Sequence, residues 1–178
     1  MLTKNDIEKY FITEKQESIL FFSIGIIAII IAIFFIFYFK NNLYRGLAVP
    51  LIVIGILQCI VGFTVYTKSD TDRVQMVYAY DMNPGIFKEK ELPRMEIVNK
   101  NFVIYRYCEI AFLIIGIIIY FKLRNNFTIE NSWGGNAFIY GIGIALAIQS
   151  LLMLGADFFA EKRAHIYTNK IVEFINKK

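Results

Sequence analysis

The sequence has few of the side chains from which common metal and redox sites are built. It contains one histidine, His165, and two cysteines, Cys59 and Cys108, which do not form a Cys-x-x-Cys pair. A structural or catalytic zinc ion needs several His or Cys ligands at short spacings, and dithiol redox chemistry needs paired cysteines. The sequence therefore predicts no metal site, no cofactor and two buried free thiols.

Short catalytic motifs are missing as well. The chain has no glycine-rich phosphate loop, no protein-kinase signature and no Gly-x-Ser-x-Gly nucleophile elbow. With a single histidine, neither a His-dependent serine protease nor an intramembrane metalloprotease is expected. These absences favour a protein that is not an enzyme.

Long hydrophobic runs, by contrast, dominate the chain. The first, Ser18 to Phe39, has 22 residues with no charge and no proline. As a helix it would be about 33 Å long, which matches the thickness of bilayer hydrocarbon. It is apolar on every face, so lipid is its natural solvent.

Three further runs resemble the first, and the third of the four is the least regular. Its fully apolar part, Ala111 to Phe121, is too short to cross a bilayer, so the span must begin near Phe102. We therefore predict an all-α integral membrane protein, a single membrane domain over 1–178, with four transmembrane helices arranged as two helical hairpins. The predicted spans are 18–39, 47–66, 102–121 and 137–159.

Three polar segments, 1–17, 67–101 and 160–178, flank the spans. Both terminal segments are predicted as short amphipathic helices, the first with a capping-box-like spacing of Thr3 and Asp6. In the C-terminal segment an apolar stripe is expected to face lipid headgroups or a partner; its residues are Ala164, Tyr167, Ile171 and Phe174.

The middle segment contains a turn signal at Asn83-Pro84-Gly85, and its Val74 to Tyr80 stretch could be either helix or strand. In the second span, Pro50 is expected in the first turn, where a missing N–H costs little.

Basic residues indicate the orientation. The three polar segments hold 14 or 15 of the 19 Lys and Arg residues, depending on where Arg106 is counted. The positive-inside rule then places both termini in the cytoplasm.

The abundance of Ile, Asn and Lys fits an AT-rich bacterial genome, so the inner (plasma) membrane is the expected location. The net charge of +4 is assigned to contacts with the bilayer rather than to nucleic acid.

The two halves of the chain share residues at a constant offset of 91 positions. If the two halves have the same orientation in the membrane, they form a tandem parallel repeat with a pseudo-twofold axis along the membrane normal. Alternatively, two Ile-rich hairpins match by chance. The matched pairs are Phe11 with Phe102, Lys15 with Arg106, Gly25 with Gly116, and Gln58 with Gln149.

Polar residues inside the spans are the candidate functional residues. Gln58 and Gln149 lie near the middle of their spans, where they can join helices by hydrogen bonds or line a pore. Glu109 and Arg106 are three residues apart and can pair on one helix face. Two interpretations of Glu109 follow. It is either a functional carboxylate inside the membrane or an interfacial carboxylate in a tilted span that starts late.

The fourth span has a face of small residues that permits close helix approach, formed by Gly141, Gly143, Ala145 and Ala147. Together with the amphipathic tail, it favours a non-enzymatic protein that binds another protein in or at the bilayer, such as an immunity protein that neutralises a membrane-active toxin. The expected partners are the lipid bilayer and a second protein or further copies of this chain. The alternatives are a small oligomeric channel or transporter subunit, suggested by the glutamines, and a membrane lipid enzyme.

For the lipid enzyme, the middle segment offers a set of charged residues but no recognisable acidic motif; the set is Asp70, Asp72, Asp81, Glu91, Arg73 and Arg94.

Overall fold

The computed structural model describes residues 2–176, and its regular structure in that range is entirely helical. Four long helices follow one another: α1 (Lys4–Phe34), which continues into a π-helical turn (Phe35–Phe39), α2 (Asn42–Met82), α3 (Pro84–Leu123) and α4 (Gly135–Asn176). Each contains one predicted span and is long and apolar enough to cross a membrane. The fold is therefore that of a multi-pass, membrane-compatible helical protein.

The helices extend well beyond the predicted spans. The terminal segments are not separate short helices, because α1 already begins at Lys4 and α4 ends at Asn176. The segment 67–101 is divided between α2 and α3, with Asn83 alone between them. Its Val74 to Tyr80 stretch is helix, not strand.

Local chemistry explains where these helices begin. Thr3 and Asp6 form the reciprocal hydrogen bonds of a capping box, Thr3 N to Asp6 Oδ2 at 2.9 Å and Asp6 N to Thr3 Oγ1 at 3.3 Å. At the start of α3, the Asn83 side-chain oxygen accepts a hydrogen bond from Ile86 N at 3.2 Å.

The expectation that Pro50 occupies the first turn of its helix is wrong. The helix α2 begins at Asn42, so Pro50 lies in its interior. A proline there has no N–H to donate to the carbonyl of Gly46, four residues earlier. The prediction failed because it took the start of the apolar run as the start of the helix, whereas α2 begins before that run.

The chain forms two compact units, and every helix contributes to both. What we call the polar unit consists of the described residues of Met1–Leu20, Gly62–Arg106 and Ala156–Lys178. The apolar unit consists of Phe21–Val61 and Tyr107–Gly155.

The polar unit has a core of aromatic and aliphatic side chains. Tyr10 and Tyr167 stack with ring centroids 4.2 Å apart, and the side chain of Phe87 is completely buried. The apolar stripe of the C-terminal segment belongs to this core, so it does not face headgroups or a partner as the sequence suggested. Its four residues, Ala164, Tyr167, Ile171 and Phe174, are all buried among other residues of the same unit.

The apolar unit is held differently, by helices that touch backbone to backbone at glycines. A Cβ at Gly25 would lie 2.7 Å from the Gly55 carbonyl oxygen, so α1 and α2 meet there without intervening side chains. Its outward isoleucines remain exposed, as with Ile30, whose exposed fraction is 60%. Close contact at small residues and an apolar exterior are what lipid as solvent favours.

Candidate functional site

The two mid-span glutamines form a hydrogen-bonded pair. Gln149 Nε2 on α4 donates to Gln58 Oε1 on α2 at 2.9 Å. The exposed fractions of the two residues are only 2% and 1%. A primary amide in hydrocarbon needs a polar partner, and each glutamine provides one for the other. The geometry makes the pair a link between two helices.

The small-residue face of α4 is covered by the chain itself. A Cβ at Gly141 would lie 2.3 Å from the carbonyl oxygen of Leu43 on α2, and a Cβ at Gly143 would lie 2.5 Å from the Ile119 side chain on α3. Ala145 is also buried. Ala147 lies opposite Gly116 of α3. This face therefore packs α4 within the apolar unit, and it is not available to a second protein.

Helices α2 and α4 run side by side in the same direction. The backbone of Phe138 lies against Gly46, and Gln149 pairs with Gln58 further along. The two contacts therefore join residues that are 92 and 91 positions apart in sequence. A nearly constant offset is what two helices packed in parallel produce.

Arg106 binds a carboxylate on another helix. Its Nη1 donates to Glu161 Oε1 and Oε2 of α4 at 3.0 and 3.1 Å. His165 Nε2 also lies 3.6 Å from Glu161 Oε1. Within the polar unit Arg106 thus joins α3 to α4. Glu109 belongs to the apolar unit, where its exposed fraction is 4%.

A partly buried ion pair lies in the polar unit. Arg94 Nε and Nη2 each donate to the Glu91 carboxylate at 2.8 Å, and the side chain of Glu91 is fully buried. The guanidinium lies 4.8 Å from the ring centroid of Phe11. Bidentate geometry and an aromatic neighbour compensate for the desolvation of these charges. Both residues belong to the six-residue charged set that the sequence offered for a lipid enzyme, but here Arg94 joins α3 to Phe11 of the aromatic core.

Glu14 lies at the edge of the same cluster. It accepts hydrogen bonds from Tyr10 Oη at 3.0 Å and from Ser69 Oγ at 3.1 Å. Burial raises the pKa of Glu14 above its usual value, while the nearby positive charge of Arg94 partly opposes that rise. Glu14 therefore links α1 to α2 and lies close to the charge of α3.

Two of the remaining acids proposed for a lipid enzyme belong to separate ion pairs. Asp70 pairs with Lys15 and Arg73, and Asp81 Oδ2 lies 2.9 Å from Lys4 Nζ. Within residues 2–176, no group of three or more His, Cys, Asp or Glu side chains is placed to hold a metal ion.

The feature that sequence reasoning missed is a cleft on the outside of the apolar unit. It lies where α1 passes into its π-helical turn, and it has a volume of about 460 Å³. Phe37 and Tyr38 are each 70% exposed, and the Tyr38 ring stacks on Phe34 with centroids 4.9 Å apart. Hydrophobic periodicity cannot reveal a π-helical turn; the aromatic run Phe34 to Phe39 was its only sequence signal. The cleft is lined by Ile30, Ile33, Phe34, Phe37 and Tyr38.

Comparison with known proteins gives no family for this chain. No family model matches it, and neither the curated proteins nor the solved structures contain a match.

Proposed function

We propose that this protein is a non-enzymatic, multi-pass protein of the bacterial inner membrane that binds another polypeptide within the bilayer. Both termini lie in the cytoplasm in this proposal. The bound polypeptide is a membrane-active toxin, so the protein acts as an immunity protein.

The cleft beside the π-helical turn is the observation that supports this function. The side chains that line it follow one another along α1 and its π-helical turn, and they leave a shallow, open apolar hollow between them. Aromatic side chains are enriched at the cores of protein interfaces, and an apolar groove fits the face of a second helix. π-helical turns are also frequent at functional sites.

The position of the cleft fits a partner that arrives from outside the cell. With a cytoplasmic N-terminus, the first span ends at its outer side near Phe39. A toxin that inserts from the periplasm would meet this end of α1 first. The cleft and the direction of attack therefore agree.

The channel and enzyme alternatives have less support. The glutamines that suggested a channel are almost fully buried against each other, so they offer little polar surface to an ion in this arrangement. Three of the four acids that suggested a lipid enzyme belong to separate ion pairs.

The parallel contact between α2 and α4 supports a further part of the proposal, the tandem repeat. Residues related by the 91-position offset meet at the glutamine pair, as they would on a pseudo-twofold axis between two duplicated hairpins. The matching glycines Gly25 and Gly116 each pack on the following helix of their own half.

Site-specific photo-crosslinking tests the binding function. A photoreactive amino acid at Phe37 is expected to yield one discrete polypeptide adduct in cells of the native host. The matched control is Phe121 on α3, which is 61% exposed and ends its own predicted span on the same side of the membrane. This position should give lipid adducts only.

Three results would contradict parts of the proposal. The same polypeptide adduct at both positions, or none at Phe37, would remove the cleft as the binding site. An adduct with twice the mass of this chain would identify self-association instead. If expressing the captured polypeptide alone does not depolarise cells, the immunity role fails. If it does, co-expression of this chain should restore the membrane potential, and the Phe37→Ala variant should not.

A further inference from the structure

A second concave surface, independent of the cleft, lies in the polar unit. This groove runs between one face of the first part of α1 and one face of the last part of α4, with a volume of about 400 Å³. Tyr10 and Tyr167, stacked and each 3% exposed, line its base. Burial raises the pKa of both phenols, so the base of the groove is uncharged at neutral pH.

The groove has an excess of positive charge. Four cations line it, and two of them are compensated within it: Lys170 Nζ lies 2.7 Å from Asp6 Oδ1, and Arg163 pairs with Glu17. The other two, Lys9 and Lys162, are exposed and form no ion pair in the described part of the chain.

The spacing of the two lysines suits a phosphate between them. The stack of Tyr10 on Tyr167 and the Glu17–Arg163 pair fix the antiparallel register of the two helices. In that register Lys9 and Lys162 are separated by about six residues along the axis, or about 9 Å at the rise of an α-helix. Two extended lysine side chains can both reach an anion placed between them.

Two exposed apolar side chains also line the groove. Phe159 and Ile166 have exposed fractions of 67% and 51%, and they lie about two turns apart on α4, on either side of Lys162. Phe159 is also the last residue of the fourth predicted span, so its end of the groove faces the boundary between the hydrocarbon and the headgroups. A water-soluble anion alone would make no favourable contact with Phe159 and Ile166, whereas a lipid can pack its acyl chain against them.

We propose that this groove binds the phosphate headgroup of an anionic phospholipid. Lys9 and Lys162 contact the phosphate from two sides, and the start of an acyl chain lies on Phe159 and Ile166. The pairs Asp6–Lys170 and Glu17–Arg163 hold the two helices at the width that the headgroup needs. The polar unit is thereby anchored to the cytoplasmic leaflet, which is rich in anionic lipid.

Native mass spectrometry of the purified full chain tests the site with defined lipids. The probes are phosphatidylglycerol and phosphatidylcholine with identical acyl chains, and inorganic phosphate as a soluble competitor. Wild-type protein is expected to retain one equivalent of phosphatidylglycerol in preference to phosphatidylcholine. The Lys9→Gln/Lys162→Gln double variant should lose about 30-fold in phosphatidylglycerol affinity, as expected for two basic residues near an anionic surface.

The control is the Lys90→Gln/Lys100→Gln double variant, which removes the same charge from two exposed lysines outside the groove. Its affinity should change less than about twofold, since it leaves the local charges intact. All four lysines are on the surface, so both variants should keep the wild-type helical content by circular dichroism.

Equal losses in the two double variants would overturn the site, because the lysines would then act only through net charge. Displacement of the lipid by millimolar inorganic phosphate would also overturn it, by showing that the groove recognises a soluble anion. Retention of phosphatidylcholine as strongly as phosphatidylglycerol would do the same.

Discussion

The two units of this protein use the same helices but are stabilised in opposite ways. In the polar unit, large side chains such as Phe87 fill the space between the helices. In the apolar unit, the helices meet where side chains are missing, as at Gly141. Water drives apolar side chains together, but lipid does not, so helices in lipid rely on close backbone contact and hydrogen bonds. The contrast is what lipid around the apolar unit and water around the polar unit would produce.

Removing a large side chain from the polar unit should have the largest effect. Phe87 is completely buried, so Phe87→Ala leaves a cavity and is expected to destabilise the protein by about 4 kcal/mol. Thermal unfolding followed by circular dichroism in detergent measures this. Phe158→Ala, at a 61% exposed position of the same unit, serves as the control, and an equal loss there would show that the aromatic core is not what stabilises the unit.

Adding one carbon atom to the apolar unit should have the next largest effect. A Cβ at Gly141 would lie 2.3 Å from one backbone oxygen of α2 and 2.8 Å from a backbone nitrogen, so Gly141→Ala forces the helices apart at a cost of about 2 to 3 kcal/mol. In the same helix, a Cβ at Gly155 meets nothing within 4 Å. Gly155→Ala should therefore raise the melting temperature slightly, because alanine favours helix. A similar change at both glycines would contradict close packing at Gly141.

The glutamine pair should contribute less, and non-additively. Gln58→Leu leaves the amide of Gln149 buried without this partner, so we expect a loss of about 1 to 2 kcal/mol. The Gln58→Leu/Gln149→Leu double variant should recover most of that loss, because no polar group then remains unpaired. A double-mutant cycle on thermal stability measures the coupling. Purely additive losses would mean that the hydrogen bond contributes nothing.

The smallest effect is expected at the start of α1 and depends on pH. The hydrogen bond from Lys170 lowers the pKa of Asp6 from 3.8 to about 2; burial acts in the opposite direction, and hydrogen bonds from Thr3 act in the same direction as Lys170. Because the pKa is lower in the folded state, the ionised carboxylate stabilises the protein above about pH 4. That stabilisation is lost as the pH falls towards 2. Because Asp6 is partly exposed, we expect Asp6→Asn to cost about 1 kcal/mol at pH 7 and little at pH 2. A pH-independent cost would contradict the assigned ion pair.

The sequence predicted the parts of this fold that depend on local composition. Long apolar runs identified the first, second and fourth helices, and the third was found by extending the short run Ala111 to Phe121 back to Phe102. Three-to-four-residue spacing identified the helical tail with Tyr167 and Ile171. A polar amide in the middle of a span identified Gln58 and Gln149 as a pair of interest. Each of these signals is visible in a window shorter than one helix.

The parts that remained hidden depend on which helices become neighbours. Nothing near Arg106 indicates that Glu161, 55 residues away, is its partner. The apolar tail could equally have faced lipid, because the N-terminal residues that cover it, including Tyr10 and Phe11, are far away in sequence. The helical continuation of α2 beyond the second span was also ambiguous, since its Val74 to Tyr80 stretch was compatible with a strand as well as a helix.

A pair of isoleucines tests the difference in solvent most directly. Ile30 in the apolar unit and Ile97 in the polar unit are 60% and 61% exposed. Each would be replaced by cysteine in a Cys59→Ser/Cys108→Ser background. The protein would be reconstituted into lipid nanodiscs, in which both faces of the bilayer are accessible, and treated with a membrane-impermeant maleimide. We predict rapid labelling of Ile97→Cys and no labelling of Ile30→Cys until the protein is denatured. Equal labelling at both positions would contradict the account, because it would place the apolar unit in water.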